Sequence, residues 1–96
     1  MKVVYAKQGQ AKYFGHLELV NIVLRAIRRA GIPVKFSQGF HPKPLISFED
    51  PLPVGFDGQQ EHFYLEVAAG FKAQSILERL NQQLPEGLRI IECFAP

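Results

Sequence analysis

Two amphipathic helical periods, each set between stretches of strand composition, constrain this chain more than anything else in it. From Leu17 to Ala30 the apolar residues Val20, Val23, Leu24, Ile27 and Ala30 return at helical spacing, while Glu18, Asn21, Arg25 and Arg28 fall on another side. Gly31 and Pro33 close that helix. From Lys72 to Leu84 the pattern repeats in Ile76, Leu77, Leu80 and Leu84, and Pro85 with Gly87 ends it. Around these helices five segments rich in β-branched and aromatic residues read as strands: KVVYAK (2–7), PVKFSQ (33–38), LISFED (45–50), HFYLEVA (62–68) and LRIIECF (88–94). PLPVGFDGQQ (51–60) reads as a turn or edge segment, because proline cannot donate to a ladder. The order is β-α-β-β-α-β with a broken middle region. It predicts an α+β fold, a ferredoxin-like sandwich with two helices on one face of an antiparallel sheet.

Residues 1–96 read as a single domain, large enough for one core and too short to enclose a large catalytic cleft alone. The lone cysteine, Cys93, cannot form an internal disulfide, and no apolar run is long enough for a membrane-spanning helix. The opening MKVVYAKQG lacks the apolar stretch of a secretory signal, so the expected location is cytoplasmic, with no membrane partner. Charge is unevenly placed. Residues 1–48 hold eight Lys and Arg against one acid, Glu18, whereas residues 49–96 hold three against eight acids, so the halves carry +7 and −5 within a net +2. If the halves occupy different faces, one face attracts phosphate or an acidic protein; if they interdigitate, the charges cancel locally.

The densest chemistry lies in SQGFHPKP (37–44). Gly39 permits a sharp backbone turn with exposed N–H groups, Lys35 and Lys43 flank it with positive charge, and Pro42 and Pro44 stiffen it. One reading is a rigid crossover with Phe40 anchored in the core. The other is a pre-shaped recognition loop presenting Ser37, Gln38, Gly39, His41 and Lys43, again with Phe40 as its anchor in the core. Arg28 and Arg29 admit two readings as well, as cations favoured in the last turn of a helix or as ligand contacts.

Other chemistries find less support. His16, His41, His62 and Cys93 do not fall in metal-ligand spacings, and four cysteines for an iron–sulfur cluster are lacking. Ser37 with His41 can be drawn as a nucleophile pair, but no GxSxG elbow or orienting acid accompanies it. An enzyme would need His16 and His41 to converge with an acid. The loops GxGxxG and GxxxxGK[ST] are absent. Nucleic acid fits better: Tyr5, Tyr13, Phe14, Phe36, Phe40 and Tyr64 are interleaved with Lys7, Lys12, Lys35 and Lys43, although no RNP1 pattern occurs.

At these same residues the chain resembles a known family. YAKQGQAKYFGHLELVNIVLRAIRRAGIPVKFSQGFHPKPLISFEDPLPVG and the later LERLNQQLPEGLRIIE are similar to the bacterial radical SAM-linked protein family, whose members show AK-G-RFLSHLDL, RAIRRAG, SQGFHP-P-ISF and PLPVG. The resemblance covers essentially the whole chain and implies the N-terminal half of the family domain, a piece of a larger protein. It implies a partner too, a radical SAM domain in the same or a neighbouring chain, which would hold the iron–sulfur cluster and S-adenosylmethionine. No cofactor is implied for these residues. The family-like polar positions are Lys7, His16, Glu18, Arg28, Arg29, Ser37, Gln38, His41 and Lys43. Gly15 departs from the pattern where members carry Ser, which removes an N-cap. Together these features predict a non-catalytic accessory domain that recognises a substrate or partner, RNA or tRNA being the first to test, through a basic face. The alternative is a protein-interaction module using an apolar patch of Leu45, Ile46, Phe48, Leu52 and Val54 to dock onto the radical SAM domain or the other half of its own domain.

Overall fold

The computed structural model describes residues 1–49 and 58–95. Strand β1 spans Lys2–Lys7, a short 3-10 helix follows at Gly9–Tyr13, and helix α1 runs His16–Arg29. Then come β2 (Ile46–Glu49), β3 (Gly58–Leu65), α2 (Ala73–Gln83) and β4 (Leu88–Phe94). Among the described residues the strands form one antiparallel sheet in the order β2-β3-β1-β4. The fold is α+β with a ferredoxin-like layout: β3 lies between β1 and β2, and β1 between β3 and β4, so each helix crosses over one intervening strand.

Both helices cover the same sheet face. Val3 and Tyr5 of β1, Phe63 and Leu65 of β3, and Leu88 and Ile90 of β4 form one buried cluster with the helices. From α1 the buried residues are Leu19, Val23, Ala26 and Ile27, so the stripe is centred one position away from the expected one, with Val20 and Leu24 only half-buried. Each fully buried large apolar side chain contributes about 1.5–3 kcal/mol relative to exposure. Burial, with the Glu61 carboxylate opposite it as a lesser cause, holds the Tyr5 phenol above its ordinary range.

The segments after β1 and between α1 and β3 differ most from the sequence reading. PVKFSQ is not a continuous strand. Val34 bridges Val67 and Phe36 bridges Pro44, so this arm finds a different partner at each step and builds no ladder. Strand β3 begins at Gly58, four residues before the expected His62, and the turn expected over 51–60 lies outside the described residues for 51–57. The 3-10 helix has no counterpart in the sequence reading. It is seated by Gly87, whose backbone (φ 93°) comes so close that a Cβ there would meet the Gln8 carbonyl oxygen at 2.5 Å and Ala11 Cβ at 2.8 Å. The Gln8 N–H donates to the Gly87 carbonyl at 2.9 Å. As the missing serine implies, α1 starts on Gly15 with no side-chain cap.

Asn81 of α2 joins helix to sheet. Its Nδ2 donates to the Ile90 carbonyl at 3.0 Å and its Oδ1 accepts from the Ile90 N–H at 2.7 Å, so one amide satisfies both backbone groups of an edge-strand residue. Replacing Asn81 by Ala should leave both groups without that partner and cost about 1–3 kcal/mol, and Asn81→Asp, which loses the donor, should not restore it. Urea unfolding midpoints of the two variants check this.

Candidate functional site

The segment between α1 and β2 folds on itself. The Leu45 N–H donates to the Lys35 carbonyl (2.9 Å) and the Ser37 N–H to the Lys43 carbonyl (2.8 Å), which makes Phe36 and Pro44 the non-hydrogen-bonded pair of a two-armed hairpin. Pro44 therefore gives up no ladder bond. Ser37 closes the neck a second time, its Oγ accepting from the Lys43 N–H at 3.0 Å. The other arm is pinned to the end of β3, where the Lys35 N–H donates to the Glu66 carbonyl and the Ala68 N–H to the Pro33 carbonyl, each at 2.9 Å.

Beyond that neck Gln38, Gly39, Phe40, His41 and Pro42 are all exposed, with Gly39 at φ 124°, a conformation that L side chains rarely adopt. Phe40 is 99% exposed. This corrects the reading that anchors Phe40 in the core: the tip projects from the molecule and carries the ring outward. Phe36, on the arm, is 57% exposed. It lines a mostly apolar groove of about 550 Å³ with Leu24 and Ile27 of α1, Ile32, Val34 and the two prolines, and Arg28 forms part of the wall.

The candidate residues divide into two groups. Arg28 and Arg29 end α1 beside the hairpin that carries Lys35, Ser37, Gln38, Gly39, His41 and Lys43, and all but the half-buried Ser37 are exposed. The second group sits toward the start of α1. Lys7 is buried, 2% exposed, at the last position of β1, so it is not part of the exposed cationic surface. Lys12 Nζ lies 5.3 Å from the centre of the Tyr13 ring. His16 packs edge-on against Phe48, ring centres 5.9 Å apart, whereas His41 is at the hairpin tip. Among the described residues no group of three or more His, Cys, Asp and Glu is placed to hold a metal ion.

The aromatics divide as well. Tyr5 is core and Phe14 packs against it, while Tyr13, Phe36, Phe40 and Tyr64 are exposed. The two charged halves are not separate faces: β3, from the acidic half, lies between β1 and β2, from the basic half. At the end of α1 and on the hairpin Arg28, Arg29, Lys35 and Lys43 are exposed. Of the apolar patch, Leu45, Ile46 and Phe48 are half-buried, and Leu52 and Val54 lie outside the described residues, as does the PLPVG motif. Phe94 and Lys2, which join Tyr64 on the open side of the sheet, escape the sequence reading; strand alternation around the buried Phe63 and Leu65 is the signal that exposes such a row.

Cys93 pairs with Val3 on the helix-covered side of the sheet, and burial pushes its thiol up to about 11. The thiolate is the reactive form, so iodoacetamide at about pH 8 should alkylate Cys93 about a hundredfold more slowly than an unperturbed cysteine. The rate should climb about tenfold per pH unit until the pH approaches 11. Mass-spectrometric alkylation kinetics on the folded chain check both.

Compared with protein-family models, residues 1–95 match the family described as an uncharacterized protein conserved in bacteria (DUF2344). No curated protein and no solved structure matches the chain.

Proposed function

The chain belongs to that bacterial family, whose description assigns no activity, and from the surface it presents we propose that it is a non-catalytic recognition domain for RNA, tRNA included. The observation that carries this is the hairpin: a stiffened, doubly closed arm that holds Phe40 in solvent, with Lys35 and Lys43 exposed along it and Arg28 in the wall of the groove at its base. Exposed rings stack on unpaired bases, and the surrounding cations displace counterions from the phosphates. Pro42 and Pro44 reduce the entropy lost when a strand settles on the loop.

The resemblance carried by SQGFHPKP and PLPVG supports a further assignment, that the domain is accessory to a radical SAM enzyme in the same or a neighbouring chain, and the lone Cys93 suits work in the reducing cytoplasm. In that arrangement the enzyme would bind the iron–sulfur cluster and S-adenosylmethionine, and this domain would present the RNA. Among the described residues no helix is long and apolar enough to cross a membrane.

The apolar groove favours a second reading. Its walls of Leu24, Ile27, Ile32 and Val34 suit an aliphatic or aromatic side chain from a protein, which would make the domain a docking module for its enzyme partner.

Fluorescence anisotropy of a labelled single-stranded RNA tests the first reading. Binding at about 50 mM salt should weaken steeply as salt rises, by about 0.7 of a logarithm per logarithm of salt for each phosphate neutralised, and Arg28→Ala or Lys43→Ala should each lower that slope by one such step. Phe40→Ala should weaken binding about tenfold. No binding at low salt rejects the RNA reading, and binding indifferent to Phe40 removes the hairpin from it.

A further inference from the structure

The face of the sheet away from the helices carries a row that the hairpin reading does not use. Cross-strand register places Ser47 beside Tyr64, Tyr64 beside Lys2, and Lys2 beside Phe94, so four side chains cross the sheet on one line. Phe63 and Leu65, the sequence neighbours of Tyr64, are fully buried on the other face, which directs Tyr64 outward. Tyr64 is 42% and Phe94 45% exposed. With neighbouring strands about 4.8 Å apart, their positions two strands away from each other are separated by about 10 Å, with Lys2 between them in the register. The His62 ring stands edge-on to Tyr64, centres 5.7 Å apart and planes at 88°, and so restrains its orientation.

The next row is different. It reads Glu49, His62, Val4, Glu92, with a carboxylate at each end. A polyanion crossing the sheet is therefore repelled from the second row and attracted to the first. The first row also lies at the end of the sheet from which the hairpin springs, since β2 starts at Ile46, opposite Leu65. A depression of about 460 Å³ joins the two, walled by Pro44 and Leu45 of the hairpin arm and by Ser47 and Tyr64 of the sheet. Glu66 also lines it, next to Lys35, whose amide donates to the Glu66 carbonyl.

We infer that this row is a nucleotide-stacking site: two adjacent bases of a single-stranded nucleic acid stack on Tyr64 and Phe94 while Lys2 meets the phosphate between them, and the strand continues through the depression to the hairpin. The inference rests on the RNA reading above and names what that reading leaves open, a ligand with at least two splayed, unpaired nucleotides. Lysine between two rings, beside a row with a carboxylate at each end, suits a phosphate chain; an apolar protein surface would leave the Lys2 ammonium group unpaired.

The chain contains no tryptophan, so Tyr64→Trp gives a unique fluorescent reporter on the row. An oligouridylate of about twelve nucleotides should quench the introduced indole saturably, at the concentration where anisotropy shows binding. Phe94→Ala and Tyr64→Ala should each weaken binding about tenfold, while Tyr64→Phe, which keeps the ring, should stay within about twofold. Far-UV circular dichroism of each variant confirms an intact fold. Oligouridylate that binds in anisotropy yet leaves the indole unquenched and tolerates Phe94→Ala overturns the stacking row while the hairpin reading stands. No binding at low salt ends both. Quenching that depends on protein concentration without RNA also overturns the stacking row, by showing the face to be a contact between copies of the chain.

Discussion

The position of β3 between β1 and β2 is the constraint on which the rest of the molecule depends. The connection from β1 to β2 must pass over an intervening strand, so α1 lies across the sheet and returns to the end where β1 begins. Strand β2 also starts there, level with the end of β3. Little chain is needed to step from helix to strand at one end of a domain, about four to six residues in most folds. Residues 30–45 are far more than that, and the surplus is the hairpin. Its place beside the last turn of α1, where Arg28 lines the same groove as Phe36, Pro42 and Pro44, is set by topology.

The same interleaving explains why charge segregation along the chain does not become segregation in space. Strands from the basic and acidic halves alternate, so Lys2 stands between Tyr64 and Phe94 and one row away from Glu92. Charge counted along the chain thus locates a surface only after the sheet order is known.

The helices, four of the strands and the fold class were legible because they rest on period and composition, which the core enforces: Phe63 and Leu65 inward, Ile76 and Leu80 inward. The second strand misled because PVKFSQ has strand composition while its hydrogen bonds are divided between residues 66–68 and its own return arm. Pairing is a tertiary fact, and composition does not report it. Phe40 misled for another reason. Apolar residues fill cores, but the converse fails, since much of any folded surface is apolar. Once Ser37 and Lys43 close the neck, five residues remain for the tip, too few to carry a ring back to the core. Lys7 is the reverse case, a cation counted as surface from its charge and buried by its place in the central strand. Asn81 and the Tyr64–Lys2–Phe94 row depend on contacts between elements far apart in sequence, for which a single chain read alone has no local signal beyond strand alternation.

Exposing these rings has a thermodynamic cost that bears on what they are for. Burying an aromatic ring stabilises a domain by about 2–3 kcal/mol, against a net stability of about 5–15 kcal/mol for most domains. Phe36 and Phe40 forgo much of that gain on a hairpin whose neck needs neither of them, because the Ser37 and Lys43 backbones and the Ser37 hydroxyl close it. Polar residues at 36 and 40 would build the same neck with less apolar surface in water. A hairpin stiffened by Pro42 and Pro44 cannot collapse to hide its ring, and a ring held in solvent is available for contact without first having to be ordered. Stability within this chain does not account for that combination.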